Sequence, residues 1–301
     1  MLKFYQGLLK NLNKDIPICE YLNDPLLKRL KKVGYFCGMD YASKDVYNFS
    51  EYISRYDHSL NVALITYYLT NDKTQMLAAL YHDASTPCFS HVIDYMNKDY
   101  LKQESTEHKT EEILVADSYL NDLLKKDNIL VEDVINFKKY PIVDNNRPKL
   151  CADRLDAVIL NSIGWTKNIN NNDIKDIVNN ICVLPNEYNE QEIAFKNIKV
   201  AAKVKELNDK INEEMHSSYD IYMMELLATI TKEAIEKEII TYNNLYTKTE
   251  EDLLRVLLST NDLSINNKMR EFLSIKREDI PPFSIDVKDR ALSPLVRQRR
   301  I

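Results

Sequence analysis

Glycine is nearly missing from this chain: 301 residues contain four, Gly7, Gly34, Gly38 and Gly164, and they are scattered. That scatter excludes a phosphate-cradling loop of the Walker or dinucleotide type, so any phosphate must be held by side chains or a metal. The five cysteines, Cys19, Cys37, Cys88, Cys151 and Cys182, are odd in number and contain no C-x-x-C pair. They fit free thiols in a reducing compartment and exclude a disulfide frame or a zinc knuckle. No apolar run reaches membrane-spanning length, and the first residues lack the apolar core and cleavage site of a secretory signal, so a cytoplasmic protein is expected. A surplus of positive charge is missing too. The formal net charge is −6, which argues against a nucleic-acid coat, although a small anionic substrate needs only a local basic pocket.

With 9 prolines and few glycines against abundant Leu, Ile, Lys, Glu and Asn, the composition favours long helices with short connections. Helices are expected near 2–13, 24–33, 50–69, 73–83, 89–97, 107–125, 131–138 and 148–162. In the second, Asp24 is the expected N-cap and Pro25 the first helical residue. Further helices are expected at 173–182, 188–215, 217–240, 248–259 and 265–274. The polar run 168–173, with Pro185 beyond it, marks a lobe boundary. The expected fold is therefore all-α, a helical bundle over 1–168 carrying a C-terminal helical lobe over 169–301. Alternation in 283–289 suggests a short strand or extended arm there.

Four of the five histidines fall between residues 58 and 108. His58 sits in the first turn of an amphipathic helix. His82 and Asp83 close a second helix that is otherwise nearly all apolar, where two adjacent ionisable side chains both need a partner. Neighbouring helical residues diverge by about 100°, so both reach one ion only if it lies beyond the helix end. A third helix offers Asp153 among Leu150, Leu155, Val158 and Ile159. His58, His82, Asp83 and Asp153 then converge as two neutral nitrogens and two carboxylates around one divalent metal, with positions left for water and substrate. The absence of thiolate favours Mn or Fe, with Mg, Ni, Co and Zn as alternatives.

At these residues the chain resembles the HD-domain superfamily of metal-dependent phosphohydrolases, whose ligands run H…HD…D. Residues 55–62, RYDHSLNV, and 82–94, HDASTPCFSHVID, are similar to blocks of the deoxynucleoside triphosphate triphosphohydrolase branch. So is the run Asp153-Arg154-Leu155-Asp156. The resemblance implies an HD helical bundle and a metal-dependent hydrolase acting on a nucleotide, foremost a (deoxy)nucleoside triphosphate. It implies substrate-phosphate contacts for Arg55, His91 and Arg154, to which Lys109 could add charge. For Asp94 and His108 it implies roles in activating water or protonating the leaving oxygen. Each has a plainer reading: His91 as a packed loop histidine, Asp94 as half of a structural ion pair, His108 as part of a solvated helix start. Three departures bear on substrate: Thr86 replaces a catalytic histidine, Ala157 a tyrosine beside the sugar, and Asn161 a sugar-contacting aspartate. A different HD nucleotidase or phosphodiesterase, or a noncatalytic nucleotide sensor, therefore stays open. The expected partner is a nucleotide, without nucleic acid or membrane, and association into a homo-oligomer is left open.

Overall fold

Ser54 begins the arrangement that matters most. Its hydroxyl accepts the Asp57 N–H while Asp57 returns a bond to the Ser54 N–H, a reciprocal cap that starts helix α3 (Arg55–Thr70) at a fixed residue. Ten of that helix's 16 residues are buried, so it is a central core helix, not a one-faced surface helix. It packs against α4 (Lys73–Tyr81), capped by Asp72, and against α9 (Ala152–Gly164). These three helices carry the segments singled out above.

The computed structural model describes residues 1–106, 108–297 and 299–301. Around the central trio lie α1 (Leu2–Leu12), α2 (Pro25–Arg29), α5 (Val92–Met96), α6 (Thr110–Ala116), α7 (Ser118–Asp127) and α8 (Val131–Ile135). After them come α10 (Asn171–Asn180), α11 (Ile198–Met215), α12 (Ser218–Glu236), α13 (Asn244–Thr247), α14 (Glu250–Ser259) and α15 (Leu263–Ser274). Helix α12 packs on α5 and α15, and α11 on α9, so the second half of the chain braces the site-bearing helices. One hydrophobic cluster runs from Leu2 to Val296. The fold is helical, as the composition implies.

Several details differ from the sequence expectations. The Asp24 cap and Pro25 start are present, the Asp24 side chain accepting the Leu26 N–H. The stretch expected as helix over 107–125 divides at Asp117, which caps α7, and its first residue, Glu107, lies outside the described residues. The helix expected from 89 starts at Val92, because Phe89 and Ser90 take φ of 65° and 45° in the loop before it.

The largest difference is a small sheet. Strands β1 (Ile181–Pro185) and β2 (Gln191–Phe195) form an antiparallel hairpin where helix was expected to continue through 182 and resume at 188. The turn is set by Asn186, whose side-chain oxygen accepts the Tyr188 and Glu190 N–H groups. Strand β3 (Leu295–Val296) adds parallel to β2, and β4 (Arg299–Arg300) pairs with β3. The tail strand thus lies beyond 283–289, a run that has no regular secondary structure. Buried Glu192 anchors this assembly: it accepts two bonds from Arg300, at 2.9 and 2.8 Å, and the Leu150 N–H at 3.1 Å. One carboxylate therefore ties the tail to the loop entering α9.

Candidate metal centre and substrate cavity

The reciprocal cap on α3 fixes His58 one turn in, facing α9. Its Nδ1 meets the Asp156 carboxylate at 2.7 Å and its Nε2 meets Asp153 at 3.0 Å. His82, at the C-terminus of α4, bonds the Ala79 carbonyl through Nδ1 at 2.7 Å. That bond assigns its proton to Nδ1 and leaves a lone pair on Nε2. This Nε2 is buried without a hydrogen-bond partner among the described residues, 3.8 Å from both Asp83 and Asp153. Ligand atoms of His58, His82 and Asp83 all lie within 4.8 Å of one another. An orphaned buried acceptor facing two carboxylates is costly in a bare protein and is satisfied by a cation. The donor set therefore fits a divalent metal, with Asp156 and the Ala79 carbonyl orienting the two imidazoles from behind.

The electrostatics agree. Burial opposes ionisation of Asp83 and Asp153, yet the neighbouring histidines, with Arg55 at Asp83 and Arg154 at Asp153, hold both well below the usual carboxylate range. Burial also opposes charge on His58, but hydrogen bonds to Asp153 and Asp156 outweigh it and lift the imidazole to about 10. Without a metal, a proton takes the cation's place between these carboxylates. Asp156, fully buried, is pushed up by desolvation.

The cluster opens into a cavity of about 840 Å³, in the range typical of small-molecule sites. One region is basic, where Arg147 lies near Arg154 and Arg290; Arg55, Lys139 and Lys149 also line the cavity, the two lysines paired with Asp133 and Glu190. Another is aromatic: Phe36 stacks on Phe49 at 4.1 Å, Tyr47 on Phe49 at 5.4 Å, and Trp165 lies 6.2 Å from Tyr47.

Each residue named from the sequence has a definite place here. Arg55 is buried, donating to Asp83 at 2.9 Å and to Ser90 Oγ at 3.1 Å, with its guanidinium over Tyr35. It lines the cavity, but its firmest bond is to a ligand carboxylate. Arg154 also lines the cavity, held by Asn145 and 3.5 Å from Asp144, with Nε unpartnered among the described residues. His91 lines the cavity and pairs through Nδ1 with Asp94 at 2.8 Å. Burial keeps His91 below its ordinary value against the pull of Asp94.

Asp94 and His108 stand elsewhere than a direct role requires. Asp94 is fully buried behind His91, with one oxygen on that ring and the other on the Ser105 N–H, and it is outside the cavity lining. His108 is exposed and also outside the lining. Its Nδ1 bonds the Ser105 carbonyl at 2.5 Å, and its ring sits 6.3 Å from both Tyr242 and Tyr246. The irregular segment before α6 turns it away. Lys109 is likewise drawn off, 4.8 Å above the Tyr246 ring. Thr86, Ala157 and Asn161 all line the cavity, so the three departures fall on the wall of the candidate site.

Sequence reading missed Arg147 and Arg290. Arg290 comes from the extended tail, with its side chain on Gln103, its N–H on Asn212 at 2.9 Å and its carbonyl accepting from Arg147 at 2.6 Å. Its only sequence signal was basic residues flanking the alternating run 283–289.

Residues 55–159 match the HD domain family, a span that contains every ligand candidate. The chain is a hydrolase that carries an HD domain. It is 23% identical over 278 residues to the uncharacterized protein YdhJ of Bacillus subtilis, covering 91% of this chain and 79% of that protein. It is also 28% identical over 116 residues to the metal-dependent phosphohydrolase cns2 of Cordyceps militaris, covering 38% of this chain and 33% of that protein.

Proposed function

We propose that the protein is a metal-dependent phosphohydrolase acting on nucleotides, with (deoxy)nucleoside triphosphates as the foremost substrates. The observation that carries this reading is the orphaned Nε2 of His82, aimed at two carboxylates on the wall of a cavity that is basic in one region and aromatic in another. Phosphates are complementary to the first region and a nucleobase to the second. His58, His82, Asp83 and Asp153 would hold a divalent metal, which would supply Lewis-acid stabilisation of charge on the phosphate and a more acidic water.

The chain's own residues do the rest. Arg55 keeps Asp83 ionised and in place. Arg154, Arg147 and Arg290 present guanidinium groups that neutralise charge on a phosphate and fix its orientation. Asp94 holds the proton of His91 on Nδ1, leaving Nε2 to accept a proton from water or, once charged, to return one to the leaving oxygen. This assigns the proton-transfer role implied for His108 and Asp94 to His91, with Asp94 as its positioning residue.

The decisive experiment is product analysis by mass spectrometry after incubating metal-loaded protein with a mixed nucleotide pool. Release of tripolyphosphate and nucleoside supports the triphosphate reading. Products from monophosphates or diesters alone would move the protein to another HD chemistry, to which the Thr86, Ala157 and Asn161 departures already point. Elemental analysis belongs beside it. About one divalent metal per chain is expected, lost in His82→Ala and in Asp153→Ala; full occupancy in either variant would remove the site.

A further inference from the structure

Glu250, the first residue of α14, is fully buried, and a buried acid is costly unless its oxygens are bonded. Both are, and to backbone far from its own helix. Oε1 accepts the Phe89 N–H at 3.0 Å and Oε2 accepts the Gly34 N–H at 2.9 Å. Residue 250 lies outside the matched span 55–159, yet the amides it holds adjoin the cavity lining, at Tyr35 on one side and His91 on the other.

The first amide belongs to the loop that presents His91. Phe89 and Ser90 both take positive φ there, a conformation that non-glycine residues keep only where the surroundings over-determine it. Three contacts do so: the Leu245 carbonyl accepts the Cys88 N–H at 2.7 Å, Glu250 takes Phe89, and Arg55 donates to Ser90 Oγ at 3.1 Å. The second amide belongs to the segment beside the start of α3. Gly34 pairs with Ser54, and the Arg55 N–H reaches the Val33 carbonyl at 2.9 Å, about one turn before His58. One side chain therefore spans the His91 loop and the helix start that fixes His58. Gly34 leaves room for it. A Cβ there would meet Glu250 Oε2 at 3.0 Å and Asp40 Oδ2 at 2.7 Å.

We propose that Glu250 is a positioning residue for His91, registering the His91 loop against the start of α3 and so setting the proton-transferring imidazole relative to the metal ligands. This rests on the role given to His91 above and adds what holds that group in place.

The test is a double-mutant cycle in the full-length, Mn-loaded protein: wild type, Glu250→Gln, His91→Ala and the double variant, each assayed for turnover of a saturating equimolar dNTP mixture and for metal content. Gln has one side-chain acceptor and must turn its NH2 toward one of the two N–H groups, so an anchor is lost. Small displacements of a reacting group are expensive, and Glu250→Gln should lower turnover by roughly 10- to 100-fold with metal content unchanged. In the His91→Ala background the same change should cost less than about threefold. A general structural role would cost the same factor in both backgrounds; that result, or unchanged turnover in Glu250→Gln, would overturn the proposal while leaving the role of His91 standing. Gly34→Ala crowds the same oxygen without altering the acid. It should reproduce the His91-dependent loss, and it decides the matter if Glu250→Gln does not fold: a loss that persists without His91 overturns the proposal. Unchanged turnover in His91→Ala alone would remove the proton-transfer role and the proposal with it. Inactivity on dNTPs with activity on bis(p-nitrophenyl) phosphate would fail the nucleotide reading alone, and the same cycle is then read on that ester.

Discussion

At the scale of single residues, two histidines separate by what their rings can reach. His91 faces the cavity with its proton fixed by Asp94, whereas His108 spends Nδ1 on a carbonyl and stands in solvent beside two tyrosines. His91→Ala is therefore expected to slow turnover by roughly 10²-fold or more with metal content unchanged. His108→Ala should cost far less. Steady-state kinetics with elemental analysis on both variants checks this, and the reverse ranking would return the proton to His108. Arg154→Lys should retain metal but lose catalysis, because an ammonium cannot copy a forked guanidinium.

The ligand candidates were legible in the sequence because each is an ionisable residue set within a largely apolar helical stretch, a conflict that a partner resolves. Arg290 carries no such mark. It lines the cavity because a distant segment folds over it, and local pattern does not encode that.

At the scale of elements, the end of α9 shows how tightly the aromatic region is built. A Cβ on Gly164 would come within 2.3 Å of Phe36 Cζ and 3.3 Å of Ile53 Cδ1, so the stacked Phe36–Phe49 pair exists only because that helix position is bare. Gly164→Ala should destabilise the fold by about 1–3 kcal/mol through overpacking, despite alanine's better helix propensity. It should also weaken nucleotide binding by shifting Phe36 into the cavity. Thermal melts and Trp165 fluorescence measure the two effects separately. Helix boundaries were readable where a cap fixed them, as at Asp24. The β1–β2 hairpin was not, because Ile181 to Pro185 is an apolar run too short for periodicity to decide between helix and strand.

At the scale of the whole molecule, four desolvated carboxyl groups set a pH dependence. Burial lifts Asp24 to about 6, Asp40 and Asp220 each to about 7 and Glu250 to about 8, from ordinary values near 4. A carboxyl raised by folding stabilises the folded state fully below its unfolded value, and that contribution is lost as pH climbs through the folded one. The melting temperature should accordingly fall between about pH 5 and 8.5. In Asp220→Asn the slope should be shallower, with the variant gaining stability over wild type chiefly at the alkaline end. A flat profile, or equal gain at pH 5, would show that these groups do not titrate in that window. Net charge and composition say nothing of this, since it depends on which carboxyls the fold dries out.

The parallel pairing of Ala194 and Phe195 with Leu295 and Val296 joins strands about a hundred residues apart. That span is about as long as the one that brings His58 of α3 to Asp156 of α9, 98 residues away, so loop closure favours neither event. The tail is nonetheless a separate contribution to the cavity: Arg290 lines it from the tail, whereas none of the four ligand candidates comes from there. Substitutions that loosen the β2–β3 pairing should therefore weaken nucleotide-dependent Trp165 quenching while leaving metal content near one per chain. Equal loss of both would show that the docked tail also holds the metal site together.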